Sequence, residues 1–188
     1  MQSPTRPVRL PGPAGADIEA RLTEELATVV AGARRRALCD GDRQTDTAHL
    51  LHSLLEADRQ VRAALGGTRL ARLLGYLVQR SIGYGLRWQG TVEGSGAVGV
   101  VPAAVPAVVP GHREPVAADW SPSAAGVLGD ALERARRRGG EPVAGLDLLA
   151  ALVADRGCRA VEVLRRAGVD ADAPADRIWG PSQQVSQG

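Results

Sequence analysis

The chain has 188 residues, of which 44% are hydrophobic, 23% are charged and 3% are aromatic, with no phenylalanine. That length fits one domain or two small ones, and a core of Leu, Val and Ala suits packed helices better than a β-sandwich. The net charge of +2 gives no electrostatic argument for nucleic-acid binding. Because the chain contains no lysine, a Schiff-base lysine and a Walker A phosphate loop are excluded.

The expected compartment follows from the cysteines and the absence of an apolar run. Cys39 and Cys158 are too few to indicate a disulfide framework, and a reducing environment is compatible with them. The N-terminal residues lack the apolar core of a signal peptide, and three prolines break the longest uncharged stretch. We therefore expect a cytoplasmic protein that does not enter a membrane.

Composition divides the chain into five parts. Residues 1–17 are rich in Pro and Gly and are predicted to be a disordered lead, and residues 180–188 a disordered tail. Two helical blocks, 18–80 and 119–179, flank a Gly/Pro/Val-rich connector at 81–118. Residues 87–93 have the composition of a short strand. The uncharged segment 94–111 is expected either to pack on the domain as an internal pseudo-ligand or to remain a mobile tether.

In the first block, the order of polar and apolar residues predicts a series of helices. Thr23 is a good N-cap, and Glu24 follows it in the first turn, where the helix dipole favours negative charge. Apolar residues then recur at spacings of three and four up to Gly41, which ends the helix. Thr47 is predicted to cap a second helix, and two further helices are expected at 59–65 and 68–80.

The second block repeats this plan. Ser121 followed by Pro122 is a strong helix-start signal, and Gly139 ends that helix. Shorter helices are expected at 146–153 and 160–167. The blocks align without a gap at an offset of 98, which predicts an internal duplication. Nine aligned pairs are identical: Ala27/Ala125, Val29/Val127, Ala33/Ala131, Arg36/Arg134, Ala37/Ala135, Gly41/Gly139, Leu50/Leu148, Leu51/Leu149 and Leu54/Leu152.

This ordered set of residues resembles the double repeat of the Clp N-terminal domain, which precedes the ATPase modules of Clp-type unfoldases. The family's repeat opens with an aromatic residue and a Thr/Ser cap, runs to a Gly, and continues with Gly-Thr-Glu-His-Ile-Leu-Leu and Leu-Gly-Val. The matching segments here are Leu22-Thr23-Glu24, Gly41, Asp46-Thr47-Ala48-His49-Leu50-Leu51, Trp120-Ser121-Pro122, Gly139, Ala144-Gly145-Leu146-Asp147-Leu148-Leu149 and Leu164-Arg165-Arg166-Ala167-Gly168-Val169.

The resemblance implies an all-α domain of two tandem repeats with pseudo-twofold symmetry that binds other molecules, without catalysis or a cofactor. Implied partners are a Clp unfoldase, an adaptor, a substrate protein or, as in some actinobacterial members, a small cyclic peptide. The chain would be a stand-alone regulator of Clp proteolysis or a decoy that sequesters such a peptide. The ligand-binding positions carried over from the family are Thr23, Glu24, Ala48, Trp120, Ser121 and Leu146.

One departure from the family pattern concerns phosphoarginine. Some family members hold its guanidinium with the repeat Glu, but those positions are Ala48 and Leu146 in this chain. A methyl or an isobutyl group cannot pair with a guanidinium, so phosphoarginine binding is predicted to be weak. The cap hydroxyls that would face the phosphate are kept, as Thr23 and Ser121.

One other function remains as an alternative, and two candidate chemical sites are disfavoured. A nucleic-acid-binding regulator could use the two arginine triplets, Arg34, Arg35, Arg36 and Arg136, Arg137, Arg138. The alternative is that these arginines only complement the dipoles of the helices that they end. His49 and His52 share a helix face, but zinc needs further ligands and no motif supplies them, so no metal site is predicted. Cys39 lies near a helix C-terminus, which disfavours a reactive thiolate.

Overall fold

The computed structural model describes residues 21–81, 93–94, 119–140 and 142–171. The described part contains seven α-helices: α1 Glu24–Cys39, α2 Thr47–Ala57, α3 Arg59–Leu65, α4 Gly67–Ser81, α5 Pro122–Arg137, α6 Gly145–Ala154 and α7 Arg159–Arg166. Two strands of two residues each, β1 Gln44–Thr45 and β2 Asp119–Trp120, form one short parallel pair. The all-α prediction is therefore confirmed for the described residues. The expectation for segment 94–111 falls almost entirely outside them.

Side-chain caps begin the two longest helices, as the sequence predicts. The Thr23 Oγ1 accepts a hydrogen bond from the Leu26 N–H at 3.2 Å, and the Ser121 Oγ accepts one from the Ala124 N–H at 3.1 Å. Both cap residues have extended backbone, with ψ of 160° and 153°. Each cap satisfies one of the backbone donors that a helix start leaves without an intrahelical acceptor.

The prediction that Thr47 caps α2 is wrong by one residue. Asp46 is the N-cap: its Oδ1 accepts from the His49 N–H at 2.9 Å, while the Asp46 N–H donates to His49 Nδ1 at 3.1 Å. This reciprocal capping box outcompetes a Thr cap because it satisfies two backbone donors instead of one. The Thr47 hydroxyl is consequently available for contacts outside its own helix.

The two halves of the chain exchange backbone hydrogen bonds in a reciprocal pattern. The Ser121 N–H donates to the Thr45 carbonyl at 3.0 Å, and the Thr23 N–H donates to the Val143 carbonyl at 3.1 Å. Donors and acceptors in these two bonds differ by the same 98 positions as the aligned sequence blocks. The residue before each capped helix is thus fixed to the loop that precedes the second helix of the other half.

The core lies between the halves and consists mainly of Leu, Val and Ala from all seven described helices. Helices α2 and α6 supply its centre, where aligned leucines are fully buried: Leu50, Leu51, Leu54, Leu148, Leu149 and Leu152. Within the described residues, none of the helices is long and apolar enough to cross a membrane.

Candidate functional site

A groove of about 310 Å³ lies beside the start of α1 and the end of α5. Its lining combines apolar side chains with two guanidinium groups: Arg21, Leu22, Leu132, Ala135, Arg136, Gly140 and Pro142. The volume is at the lower end of the range for ligand pockets and matches one or two side chains of a peptide. A lining of apolar residues and two arginines favours a ligand with an aliphatic side chain and a carboxylate.

At the position equivalent to this groove in the other half, two different side chains stack on each other. Trp120 takes the place of Leu22 at the offset of 98, and Arg34 takes the place of Leu132. The Arg34 Cζ lies 4.9 Å from the centroid of the Trp120 ring, within the range of a cation–π contact. The two equivalent surfaces therefore differ in composition: Leu22 and Leu132 line one of them, whereas Trp120 and Arg34 stack at the other.

The structure places the six predicted site residues in different environments. Thr23 and Ser121 are caps, Glu24 is exposed in the first turn of α1, and Trp120 is half-buried against the core. Ala48 is fully buried, whereas Leu146 is 41% exposed. None of the six is among the residues that line the groove, although Leu22, the neighbour of Thr23, is.

A buried carboxylate from the connector forms the most highly bonded polar site. Glu93 is 5% exposed and lies where the N-terminal ends of α2, α5 and α7 meet. Its Oε2 accepts from the Thr47 N–H at 2.9 Å and from the Ser121 Oγ at 2.8 Å. Its Oε1 accepts from the Arg159 N–H at 2.7 Å and from the Thr47 hydroxyl. We call this set of donors the Glu93 cradle.

The two hydroxyls of the Glu93 cradle also accept hydrogen bonds, which fixes the direction of their protons. The Ala160 N–H donates to Thr47 Oγ1 at 3.0 Å, and the Ala124 N–H donates to Ser121 Oγ at 3.1 Å. Each hydroxyl therefore takes a helix N–H and directs its own proton to Glu93. Each oxygen of the Glu93 carboxylate thus accepts two hydrogen bonds, and the donors come from the starts of three helices.

In the other half, the carboxylate that accepts hydrogen bonds from a helix start comes from the cap residue of that helix. Asp58 caps α3, because its Oδ1 accepts from the Gln60 N–H at 2.8 Å and from the Val61 N–H at 3.0 Å. The carboxyl group of Asp58 also lies against Gly145, the first residue of α6, where an added Cβ would be 2.8 Å from the Asp58 Cγ. At the start of α7 the cap position is Cys158, which makes no side-chain cap bond, and Glu93 supplies the acceptor instead.

A charged link between the halves lies next to the Glu93 cradle. Asp46 Oδ2 accepts from the Arg159 guanidinium at 2.6 Å, and the Asp46 side chain is 1% exposed. Arg159 therefore uses its backbone N–H for Glu93 and its side chain for the cap of α2. Breaking this pair would leave a buried charge without compensation, which is more costly than losing an exposed ion pair.

Three possible metal ligands lie at the end of α1. Asp40, Asp42 and His49 each bring one ligand atom within 4.8 Å of the others. His49 Nδ1 lies 3.1 Å from the Asp46 N–H and 2.8 Å from Asp46 Oδ1, while its Nε2 lies 3.3 Å from Asp42 and 3.6 Å from Asp40. His49 therefore contributes one ring nitrogen to the cap of α2 and directs the other to the two carboxylates.

Two further titratable groups are perturbed by burial. Burial, together with the nearby Arg36, lowers the pKa of His52 to about 4. Burial also raises the pKa of the Cys158 thiol to about 11, so this thiol is not a nucleophile at neutral pH. Cys39 is exposed at the last residue of α1.

Most arginines of the two triplets contact other side chains of the chain. Arg36 pairs with Glu56, and Arg138 pairs with Asp147 through its Nε at 3.0 Å. Arg136 and Arg137 both lie near Glu133, at 3.7 Å and 3.3 Å. These contacts provide no specific observation in favour of nucleic-acid binding.

No family model and no curated protein sequence matches this chain.

Several important residues escaped sequence reasoning. Asp58 carried a local signal, since an Asp directly before a polar and apolar helical run is typical of an N-cap. Glu93 carried no such signal, because its partners lie 28, 46 and 66 positions away along the chain. Arg159 was likewise invisible, because its partner Asp46 is 113 positions distant.

Proposed function

We propose that the chain is a non-catalytic peptide-binding module made of two Clp-type helical repeats related by pseudo-twofold symmetry. The reciprocal bonds Ser121–Thr45 and Thr23–Val143 support this arrangement, since both obey the offset of 98 found in the sequence. The equivalent caps of α1 and α5 support it as well. In this proposal the chain acts as a regulator of Clp proteolysis.

The groove beside Leu22 is the proposed peptide site, and it is the observation that carries the proposal. Its apolar floor would bind an aliphatic side chain, and Arg21 and Arg136 would bind a carboxylate next to it. The proposed ligand is therefore a short acidic–aliphatic peptide segment of a substrate or adaptor protein. Such a segment contains both groups that the groove would bind, an aliphatic side chain and a carboxylate, and its binding needs no covalent step.

Fluorescence anisotropy with a labelled peptide that contains Asp-Leu tests this proposal, with a Lys-Leu peptide for comparison. Arg136→Glu should weaken binding of the Asp-Leu peptide by about tenfold or more, because it replaces an attraction by a repulsion at the groove. Arg137→Glu is the matched control, since Arg137 is adjacent, also lies near Glu133 and does not line the groove. Equal losses in the two variants, or equal binding of the two peptides, would reject the proposal.

A further inference from the structure

Three side chains with metal-ligating atoms meet where α1 ends and α2 begins. The Nε2 atom of His49 lies 3.3 Å from a carboxylate oxygen of Asp42 and 3.6 Å from one of Asp40. The three ligand atoms all lie within 4.8 Å of one another. The His49 side chain is 1% exposed, whereas those of Asp40 and Asp42 are 16% and 25% exposed. The imidazole therefore forms the buried side of the cluster and the carboxylates form its more accessible side.

The turn that ends α1 fixes the backbone of both aspartates. The N–H groups of Asp40 and Asp42 donate to carbonyls in the last turns of α1, at 2.8 Å and 2.9 Å. Gly41 between them has a φ of 71°, the left-handed conformation that ends many helices. His49 lies in the first turn of α2, within the capping box, and α1 packs against α2. The three ligands are therefore arranged by well-fixed backbone before any ion binds.

The equivalent place in the other half holds a cation of the chain itself. At the offset of 98, Arg138 takes the place of Asp40, and Asp147 takes the place of His49. The Arg138 Nε donates to Asp147 Oδ1 at 3.0 Å, while Asp147 Oδ2 accepts the N–H of the α6 cap residue at 3.0 Å. Asp147 thus contacts a helix cap and a cation at once. Replacing the guanidinium by a carboxylate, as in the half that contains α1, favours a cation from solution at this point.

The distances and the ligand types indicate which class of cation fits. Zinc binds imidazole nitrogen and carboxylate oxygen at about 2.0–2.2 Å, so ligand atoms of a tetrahedral zinc site lie roughly 3.3–3.6 Å apart. The two distances from His49 Nε2 to the carboxylates agree with this spacing. An imidazole ligand also favours zinc and neighbouring transition metals over Mg²⁺ and Ca²⁺, which prefer oxygen ligands.

We propose that Asp40, Asp42 and His49 bind one divalent transition-metal ion, and that Zn²⁺ is the member of this class that fits best. The two carboxylates balance the charge of the ion, and three protein ligands leave at least one coordination position for water. The bound ion connects the end of α1 to the start of α2 and stabilises their packing. The site is separate from the groove beside Leu22, so its test does not depend on the proposed peptide binding.

Metal binding exchanges one hydrogen bond in the cap of α2 for another. A neutral imidazole that binds a metal through Nε2 carries its proton on Nδ1. The Nδ1 of His49 lies 2.8 Å from Asp46 Oδ1, which can accept that proton. The bond from the Asp46 N–H to Nδ1 is given up in the same step. A carboxylate that accepts from the second ring nitrogen orients the imidazole toward the metal, as in many zinc sites.

The pattern of two histidines in the sequence did not indicate this site. His49 and His52 share a helix face, but the additional ligands come from the turn before α2 and not from His52. His52 instead lies near Glu56, with 3.5 Å between its Nε2 and a carboxylate oxygen. The chain therefore supplies a matched comparison, a second buried histidine beside a single carboxylate.

Isothermal titration calorimetry with Zn²⁺ on the metal-free full chain tests the proposal. The wild-type chain should bind Zn²⁺ at this site, and Asp42→Asn should weaken this binding at least tenfold because it removes a charged ligand while keeping the shape of the side chain. Asp40→Asn should have the same effect. Neither aspartate belongs to the cap of α2, so both variants should fold, which circular dichroism checks. Mg²⁺ should bind at least tenfold more weakly than Zn²⁺.

Two control variants separate this site from other ligands nearby. Glu56→Gln removes the carboxylate beside His52, and Cys39→Ser removes the exposed thiol that precedes Asp40. Both variants should bind Zn²⁺ with the affinity of the wild-type chain. A loss in either variant as large as that in Asp42→Asn would overturn the assignment of the ligands.

NMR of the imidazole nitrogens identifies the ligating atom in the wild-type chain, and it decides the question if an aspartate variant does not fold. Zn²⁺ should shift the Nε2 resonance of His49 strongly and the resonances of His52 little. Absence of Zn²⁺ binding, unchanged affinity in folded Asp40→Asn and Asp42→Asn, or an unshifted His49 Nε2 would overturn the proposal. Equal affinities for Mg²⁺ and Zn²⁺ would overturn transition metals as the ligand class.

Discussion

Gly145→Ala tests whether the Asp58 carboxylate is held against the start of α6. A Cβ at this position would be 2.8 Å from the Asp58 Cγ and 3.1 Å from a methyl carbon of Leu54. Asp58 would have to turn away and lose its bonds to the first turn of α3, a loss of about 1–2 kcal/mol. Crowding of Leu54 adds to this, while the better helix propensity of Ala returns less than about 1 kcal/mol. The expected net loss of unfolding free energy is about 1–2 kcal/mol.

Urea unfolding followed by circular dichroism measures this change, with Gly126→Ala as the matched control. A Cβ at Gly126 meets nothing within 4 Å, so that substitution in α5 should stabilise the chain by about 0.5–1 kcal/mol. In the Asp58→Ala background, Gly145→Ala should cost much less than it does alone, since the clashing group is gone. Stabilisation by Gly145→Ala, or simple additivity with Asp58→Ala, would refute the reasoning.

Three further predictions concern ligand binding, acid stability and thiol reactivity. In calorimetry, phosphoarginine should bind at least tenfold more weakly to the wild-type chain than to Leu146→Glu. Ala48→Glu should instead reduce stability, because Ala48 is fully buried. Because burial lowers the pKa of His52 from 6.5 to about 4, the unfolded chain binds more protons between those values. The contribution of His52 to the free energy of unfolding should therefore be complete above pH 6.5, and up to about 3 kcal/mol of it should be lost as the pH approaches 4. In urea titrations, His52→Gln should flatten this pH dependence. Iodoacetamide at pH 8 should label Cys39 and spare Cys158 in the native chain, and mass spectrometry that finds both labelled equally would contradict the burial of Cys158.

Local sequence patterns were sufficient to predict most of the helices. The caps Thr23 and Ser121 are confirmed, and the helix predicted at 59–65 coincides with α3. Spacing of apolar residues and cap chemistry act over a few positions, so one sequence contains the whole signal. The prediction of Thr47 as the cap of α2 is wrong because His49, in the third position of the helix, accepts the Asp46 N–H and thereby favours Asp46 as the cap.

The polar sites were much less accessible to sequence reasoning. The composition of residues 87–93 predicts a short strand, and nothing local indicates that the Glu93 side chain is buried at three helix starts. Likewise, Gly145 resembles an ordinary helix-start residue until Asp58 is placed beside it. Such contacts depend on how the halves meet, and a pairing between distant residues leaves no periodic trace in a single chain.

Backbone hydrogen bonds between the halves anchor the first helix of each half to a loop of the other half. Residues 21–23 bond to Val143, and the loop ending at Thr45 receives the Ser121 N–H. A single half of this kind would have one backbone donor before its first helix and one backbone acceptor before its second helix, both without a partner. Two copies would pair these groups by forming an isologous dimer about a twofold axis. If the chain consists of two such units, as proposed above, their association is intramolecular and does not depend on protein concentration.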